Sequence, residues 1–355
     1  MRTRITLISL LTLFTTTLTA QDADKQIDNQ SFKEQLRINN PLSYLSVPYV
    51  GDLHFLDEET RNYILTADIE PHFFLFMEEN TAFAVDFFAK IKVRILTDRS
   101  FPVRTPSYMP GGNLYLRTRF RKTGYDYLSL NFTHHSNGQD GCALNGYTYT
   151  DSQGCINTSG NQLPNLSPVL NQNNGNFSTN FLQLGYNIAF EQLENDTTRT
   201  LSYYIFKHDD GEFKGDLYNY IYFGYQFHFI GIEEELRGRY GLHQFKFLFQ
   251  RIAAAYWQDS PVKRFEAERF VAEIAVNLST IDRLEGFSFH NRFNVDLKYN
   301  FTLRGLSSNS TSLFVMAGYK GQDDYNIYFE NSFPYVGFGI SAGNIIYSPR
   351  EKSIL

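Results

Sequence analysis

The sequence predicts an all-β chain closed into a transmembrane antiparallel β-barrel of the outer-membrane type, with about 12 strands. Three observations predict it. Long stretches alternate apolar and polar residues with a period of two, as strands with two different faces must. The apolar face is rich in Phe, Tyr and Leu while the other is charged, which is the inverted pattern of a barrel with lipid outside and water inside. No apolar run approaches the ~18 residues of a membrane-crossing helix, yet 33 Phe and 24 Tyr stand against a single Trp.

The elements follow in chain order. Arg2 and Arg4 precede the apolar run Ile5 to Phe14, and small and hydroxylated residues lead to Ala20. That is the pattern of a secretory signal peptide, expected over residues 1–20. Gln21, not Cys, follows the expected cut, so the signal is not of the lipoprotein kind. Residues 21–40 are polar and read as a periplasmic N-terminal lead-in. The barrel is expected over 41–355. Strands are expected at 41–49, 63–77, 81–97, 112–121, 125–137, 176–192, 197–208, 217–231, 241–252, 264–280, 287–304, 311–322 and 333–345. An even-stranded barrel with both ends in the periplasm cannot use all of these. The excess is expected after residue 192, or as two neighbours forming one bent strand.

The stretch 287–304 alternates most clearly. Phe287, Phe289, Phe293, Val295, Leu297, Tyr299, Phe301 and Leu303 share one face, with Asn291 the polar intruder. His290, Arg292, Asp296 and Lys298 on the other face read as a charge network in the lumen. Residues 138–175 are rich in Asn, Gly, Gln and Ser and form a long extracellular loop. Cys142 and Cys155 lie in it, and in an exported protein they are expected to form a loop disulfide. Zinc is the weaker alternative, because no further Cys or His stands at ligand spacing. The net charge of −6 gives no nucleic-acid footprint.

Chemistry concentrates where residues 128–137 end. Leu128, Leu130, Phe132, His134 and Ser136 share one face, and Ser129, Asn131, Thr133, His135 and Asn137 the other. Same-face neighbours lie about 7 Å apart along a strand, a gap that a hydroxyl and an imidazole can close. Ser136 is therefore the candidate nucleophile and His134 its general base. Asn180, on the matching face of the next strand with Leu182, Leu184 and Tyr186, is the candidate to orient the ring. A neutral orienter suits a face that meets lipid, where an unpaired carboxylate is costly. The blander reading makes His134 and Ser136 polar rim residues. His135 points to the lumen, and His208-Asp209-Asp210 reads as a charged extracellular loop.

His134-His135-Ser136-Asn137-Gly138 resembles the H-x-S-N-G motif of the outer membrane phospholipase A family, twelve-stranded barrel esterases with a Ser-His-Asn triad. Ser100-Phe101-Pro102-Val103-Arg104 followed by Tyr108 resembles that family's S-x-P-[apolar]-R…Y loop. Gly318-Tyr319-Lys320-Gly321, then Asp324-Tyr325-Asn326, resembles its Gly/Tyr-rich segment ahead of the last strand. The resemblance implies Ca2+-dependent hydrolysis of acyl esters in membrane phospholipid by a homodimer, in the bacterial cell outer membrane. It implies an oxyanion hole formed by the Gly138 amide and a calcium-bound water. For the metal it implies the carbonyl of Gln139 and, from the partner subunit, the carbonyl of Ser100. The chain departs from the family where Asn176 replaces a calcium-ligating serine, in the length of the loop between Ser136 and Asn180, and at its end. The barrel-assembly signal is accordingly expected near Ile345, Ile346 and Tyr347. The competing function is a non-catalytic barrel, either a narrow channel or a surface-binding protein. A secreted soluble β-protein is a minor third reading.

Overall fold

The computed structural model describes residues 36, 39, 43–49, 63–76, 82–96, 106–121, 124–138, 142, 147–150, 154–161, 176–193, 215–232, 236–257, 260–279, 289–302, 311–325 and 332–342. The expected signal peptide, most of the lead-in, the candidate strand 197–208, His208-Asp209-Asp210 and residues 345–347 lie outside them.

The strands are β1 (Ser43–Tyr49), β2 (Tyr63–Ile69), β3 (His72–Phe76), β4 (Phe83–Leu96), β5 (Ser107–Arg121), β6 (Gly124–Ser136), β7 (Tyr147–Thr150), β8 (Gly154–Asn157), β9 (Ser178–Leu193), β10 (Gly215–Ile230), β11 (His243–Trp257), β12 (Ser260–Asn277), β13 (Phe293–Phe301), β14 (Thr311–Lys320) and β15 (Phe333–Ala342). Thirteen of them form one antiparallel sheet, and β7 and β8 form a separate hairpin. The large sheet returns on itself. β1 pairs with both β15 and β2, and β2 pairs with β4. β2 and β3 share the same edge of β4, one after the other. Thirteen segments therefore fill twelve wall positions, and the chain is a closed transmembrane β-barrel.

The bent strand has a simple cause. Pro71 sits between β2 and β3, lacks an N–H for the ladder, and interrupts it. The Pro71 carbonyl still accepts from Ala89 N at 3.2 Å, so the two halves stay on one edge. β9 pairs directly with β10 from Leu193 upward, which leaves no wall position between them for 197–208. Because every contact is antiparallel, Ser43 and its partner Ala342 lie at one end of the barrel and Ser136 at the other.

Alternation is realised as expected. Leu128, Leu130, Phe132, Leu184, Phe223, Tyr225, Phe245, Leu297 and Phe338 are exposed on the outer wall, while Thr133, His135, Gln226 and Asn300 are buried behind it. Several strand bounds differ from expectation: β11 runs on to Trp257 and β12 begins at Ser260, each several residues beyond the expected bound, and β13 and β5 differ for reasons that can be read from the ladder. β13 begins only at Phe293, and Phe289–Arg292 form a 3-10 turn. The ladder with β12 stops at Val276–Phe293, so the apolar period continues past the last strand partner. Arg292 accordingly leaves the lumenal set and donates to the carbonyls of Asn277 and Ser279 at the rim. β5 begins at Ser107, five residues before its expected start. No β5–β6 pair forms at Met109 and Pro110, where the proline has no N–H to give, and the ladder resumes in the same register at Tyr108 and Ser136.

The lumen is filled rather than open. Lys90 pairs with Glu70 and Lys320 with Asp296, at 2.5 and 2.7 Å. At the Ser136 end, residues 321–325 fold across the lumen. Arg94 holds Asp323, Lys92 holds Asp324, and Gln322 accepts from Gly241 N and donates to the Arg239 carbonyl. Toward the entry end, Leu36 packs against Ala84, Tyr125, Tyr127 and Ala189, and Asn39 donates to the Tyr127 hydroxyl. A cavity of about 440 Å³ remains between, its lining including Tyr115, Lys246, Glu273 and Lys298. Cys142 and Cys155 are disulfide-bonded with Cα atoms 5.7 Å apart, and Cys155 lies on β8 of the hairpin.

Candidate active site on the outer wall

β6 and β9 are direct neighbours, and their register places His134 opposite Asn180 and Ser136 opposite Ser178. The sequence put His134 and Asn180 on matching faces, and the ladder makes them direct cross-strand partners. Nδ1 of His134 and Oδ1 of Asn180 are 2.9 Å apart. The amide nitrogen of Asn180 donates to the carbonyl of Ile230 at 2.9 Å. A carbonyl only accepts, so this bond fixes which end of the amide is nitrogen. Oδ1 must then face His134 as an acceptor. The imidazole is thereby held with its proton on Nδ1 and its lone pair on Nε2, the tautomer a general base needs.

Ser136 stands two residues further along the same outer face, half-exposed, and its hydroxyl makes no hydrogen bond among the described residues. Among the described residues, the outer neighbours of the pair are uncharged. Tyr108 pairs with Ser136 across β5, Pro110 and Gly112 follow on that strand, and Phe132 precedes His134. The site thus sits on an apolar wall where only neutral polar groups are tolerated.

Past Ser136 the chain is clasped. Asn137 N donates to the Phe177 carbonyl, and Phe177 N donates to the Asn137 side-chain oxygen, both at 3.1 Å. Asn137 is 2% exposed. The clasp ties the two ends of the long loop where the ladder ends. Gly138 then turns with φ of +63°, a conformation that glycine adopts without steric cost. Its N–H has no acceptor among the described residues, and a Cβ at this position would touch the Tyr108 ring at 3.4 Å. Sequence reading gave Asn137 no role. The string Ser-Asn-Gly, with Asn and Gly both at home in turns, was the available signal.

Of the three expected calcium donors, Ser100 and Gln139 lie outside the described residues. Asn176 is described, half-buried beside Phe177, and supplies a neutral amide. No group of three or more His, Cys, Asp or Glu that could hold a metal occurs among the described residues. One neutral donor falls far short of the six to eight oxygens calcium takes, so these residues alone do not make a calcium site.

No family model matches the chain, and no curated protein matches it. Among solved structures it is similar to outer membrane phospholipase A from Escherichia coli, at 12% identity and a TM-score of 0.47, covering 89% of this chain and 97% of that one. It is similar to an active-site mutant of the same Escherichia coli protein at 13% identity and 0.47, covering 91% and 98%. The Salmonella typhi outer membrane phospholipase dimer with bound calcium gives 12% and 0.46, covering 89% and 97%. Likeness at this level says nothing about activity. The strand pairings and the alternation of faces define the class, a twelve-stranded transmembrane β-barrel, and any activity has to be argued from the wall at His134.

Proposed function

We propose that this protein is an outer-membrane phospholipase that hydrolyses acyl esters of glycerophospholipids. One observation carries the proposal: a histidine with its tautomer fixed by Asn180 shares the lipid-facing wall with an uncommitted serine. His134 Nε2 takes the proton of Ser136 as Oγ attacks the ester carbonyl. Negative charge develops on the carbonyl oxygen, and the Gly138 N–H is the donor available to it. The tetrahedral intermediate collapses, and the imidazolium returns its proton to the departing alcohol. Water, deprotonated by the same imidazole, then cleaves the acyl-serine and releases a fatty acid. Asn180 holds the ring throughout by accepting from Nδ1–H.

The motif resemblance extends the proposal to calcium dependence, a homodimer and the bacterial outer membrane. No step above runs through the ion. The filled lumen argues against the channel reading. Fatty-acid release from mixed phospholipid micelles by the refolded mature protein, with calcium or with a chelator, tests the proposal. Release is expected in calcium and should be suppressed by the chelator. No release under either condition would reject the enzyme and favour a barrel that works through its loops. Chelator-resistant release would retain the enzyme and reject its calcium requirement.

A further inference from the structure

Asn180 can orient His134 only if its own amide is held, and the group that holds it is not on β6 or β9. β10 carries a bulge at its end: His228 pairs with Phe181, Ile230 pairs with Asn180, and Phe229 is the extra residue between. Bulges re-aim the end of a strand. Here the result is that the Ile230 carbonyl lies 2.9 Å from the Asn180 nitrogen. The chain then leaves the wall at Gly231, with φ of +65°. That left-handed conformation is costly for a residue with a Cβ. Space is tighter still, because a Cβ at Gly231 would stand 2.6 Å from Nδ2 of Asn180 and nothing else would come as near. The collision is with the one atom whose position sets the amide.

We propose that Gly231, with the β10 bulge, is a positioning element of the active site: it leaves room for the Asn180 amide and presents the Ile230 carbonyl that fixes which end faces His134. This inference rests on the proposed phospholipase reading for its consequence in rate, but not for its consequence in geometry. Any side chain at 231 pushes the Asn180 nitrogen off its acceptor. The amide then loses its fixed sense, and the histidine loses its fixed tautomer.

The test has two readouts. Nitrogen NMR of 15N-histidine-labelled, refolded barrel in micelles reads the tautomer, with His134 assigned by its loss in His134→Gln. The wild type is expected to show the Nδ1–H form, and Gly231→Ala a mixture of tautomers. In fatty-acid release Gly231→Ala is expected to lower kcat by about 10²-fold with little change in KM, the scale of loss for a misplaced catalytic group. In an Asn180→Ala background the same change should cost little more, because the two act as a unit. Retention of the folded, heat-modifiable gel mobility checks the barrel. If Gly231→Ala does not fold, Gly231→Asn takes its place, since Asn tolerates the left-handed conformation yet still brings a Cβ against Asn180. An unchanged His134 signal in the variant, or an equal loss of rate in both backgrounds, would overturn the inference. A wild type that shows the fixed tautomer but releases no fatty acid would sink the phospholipase reading and leave this one standing.

Discussion

Replacing Ser136 by alanine is expected to lower phospholipid hydrolysis by about 10⁴-fold or more, the scale seen when a nucleophile is removed from a unit of this kind. The barrel should be unaffected. Ser136 lies at the last wall position of β6, half-exposed, and its hydroxyl holds no other described residue. Gel mobility, far-UV circular dichroism and unfolding midpoint should therefore match the wild type while turnover vanishes. His134→Ala should lose a comparable amount, and the double variant hardly more, because a nucleophile without its base is already silent. Equal rates for wild type and Ser136→Ala would place any activity elsewhere.

The second large effect is on stability. Arg94→Ala is expected to cost about 3–5 kcal/mol, the penalty for breaking a buried ion pair and leaving one charge behind. The Asp323 side chain is fully buried, and Arg94 grips it with both terminal nitrogens, one at 2.8 Å. The guanidinium also lies over the Tyr325 ring at 4.4 Å. Without it, Asp323 keeps a single hydrogen bond among the described residues, from the Tyr325 amide at 3.1 Å. Segment 321–325 should then become sensitive to protease, and the unfolding midpoint in denaturant should fall. Adding Asp323→Asn to Arg94→Ala should restore part of the loss by removing the stranded charge. A cost below about 1 kcal/mol, the range of exposed pairs, would mean that this pair does not seat the segment.

Asp324 adds a pH dependence of known sign. Burial works to raise its pKa, but the ammonium groups of Lys320 and Lys92 and the Arg94 guanidinium hold the carboxyl well below the usual carboxylate range. A depressed folded-state pKa contributes stability that is present in full above the unfolded value, near 3.9. That contribution is lost as pH falls from there through the folded value. Protease resistance of segment 321–325 should accordingly hold at neutral pH and fail only in strong acid.

Much of this architecture was legible because a strand writes its environment in a period of two. The exposed line Leu128, Leu130, Phe132 and the buried line Thr133, His135, Asn137 are those the alternation assigns. The His134–Asn180 pairing was legible for the same reason, since neighbouring antiparallel strands that share a lipid face bring same-face residues together. What alternation cannot write is where a ladder ends. Phe287 and Phe289 keep the apolar period beyond the last β12 partner, and the chain there turns into a 3-10 segment. Asn291, the intruder in that pattern, marks the departure. The surplus segment falls where it is expected, after residue 192: 197–208 alternates well enough to read as a strand, but β9 and β10 are already partners. The clasp of Asn137 on Phe177 and the support of Asn180 by Ile230 and Gly231 depend on backbone groups of residues 40 and 50 positions away. No local pattern encodes them.

The most direct measurement is covalent labelling of the refolded barrel in detergent micelles with a lipid-soluble sulfonyl fluoride, followed by peptide mass mapping. Oxygen of an activated serine displaces fluoride and leaves a stable sulfonate ester. One adduct is expected, on the peptide carrying Ser136, absent in Ser136→Ala and formed far more slowly in His134→Ala. Ester hydrolysis that persists with Ser136 unlabelled, or labelling of Ser136 that is no slower without His134, would contradict a Ser136 nucleophile activated by His134.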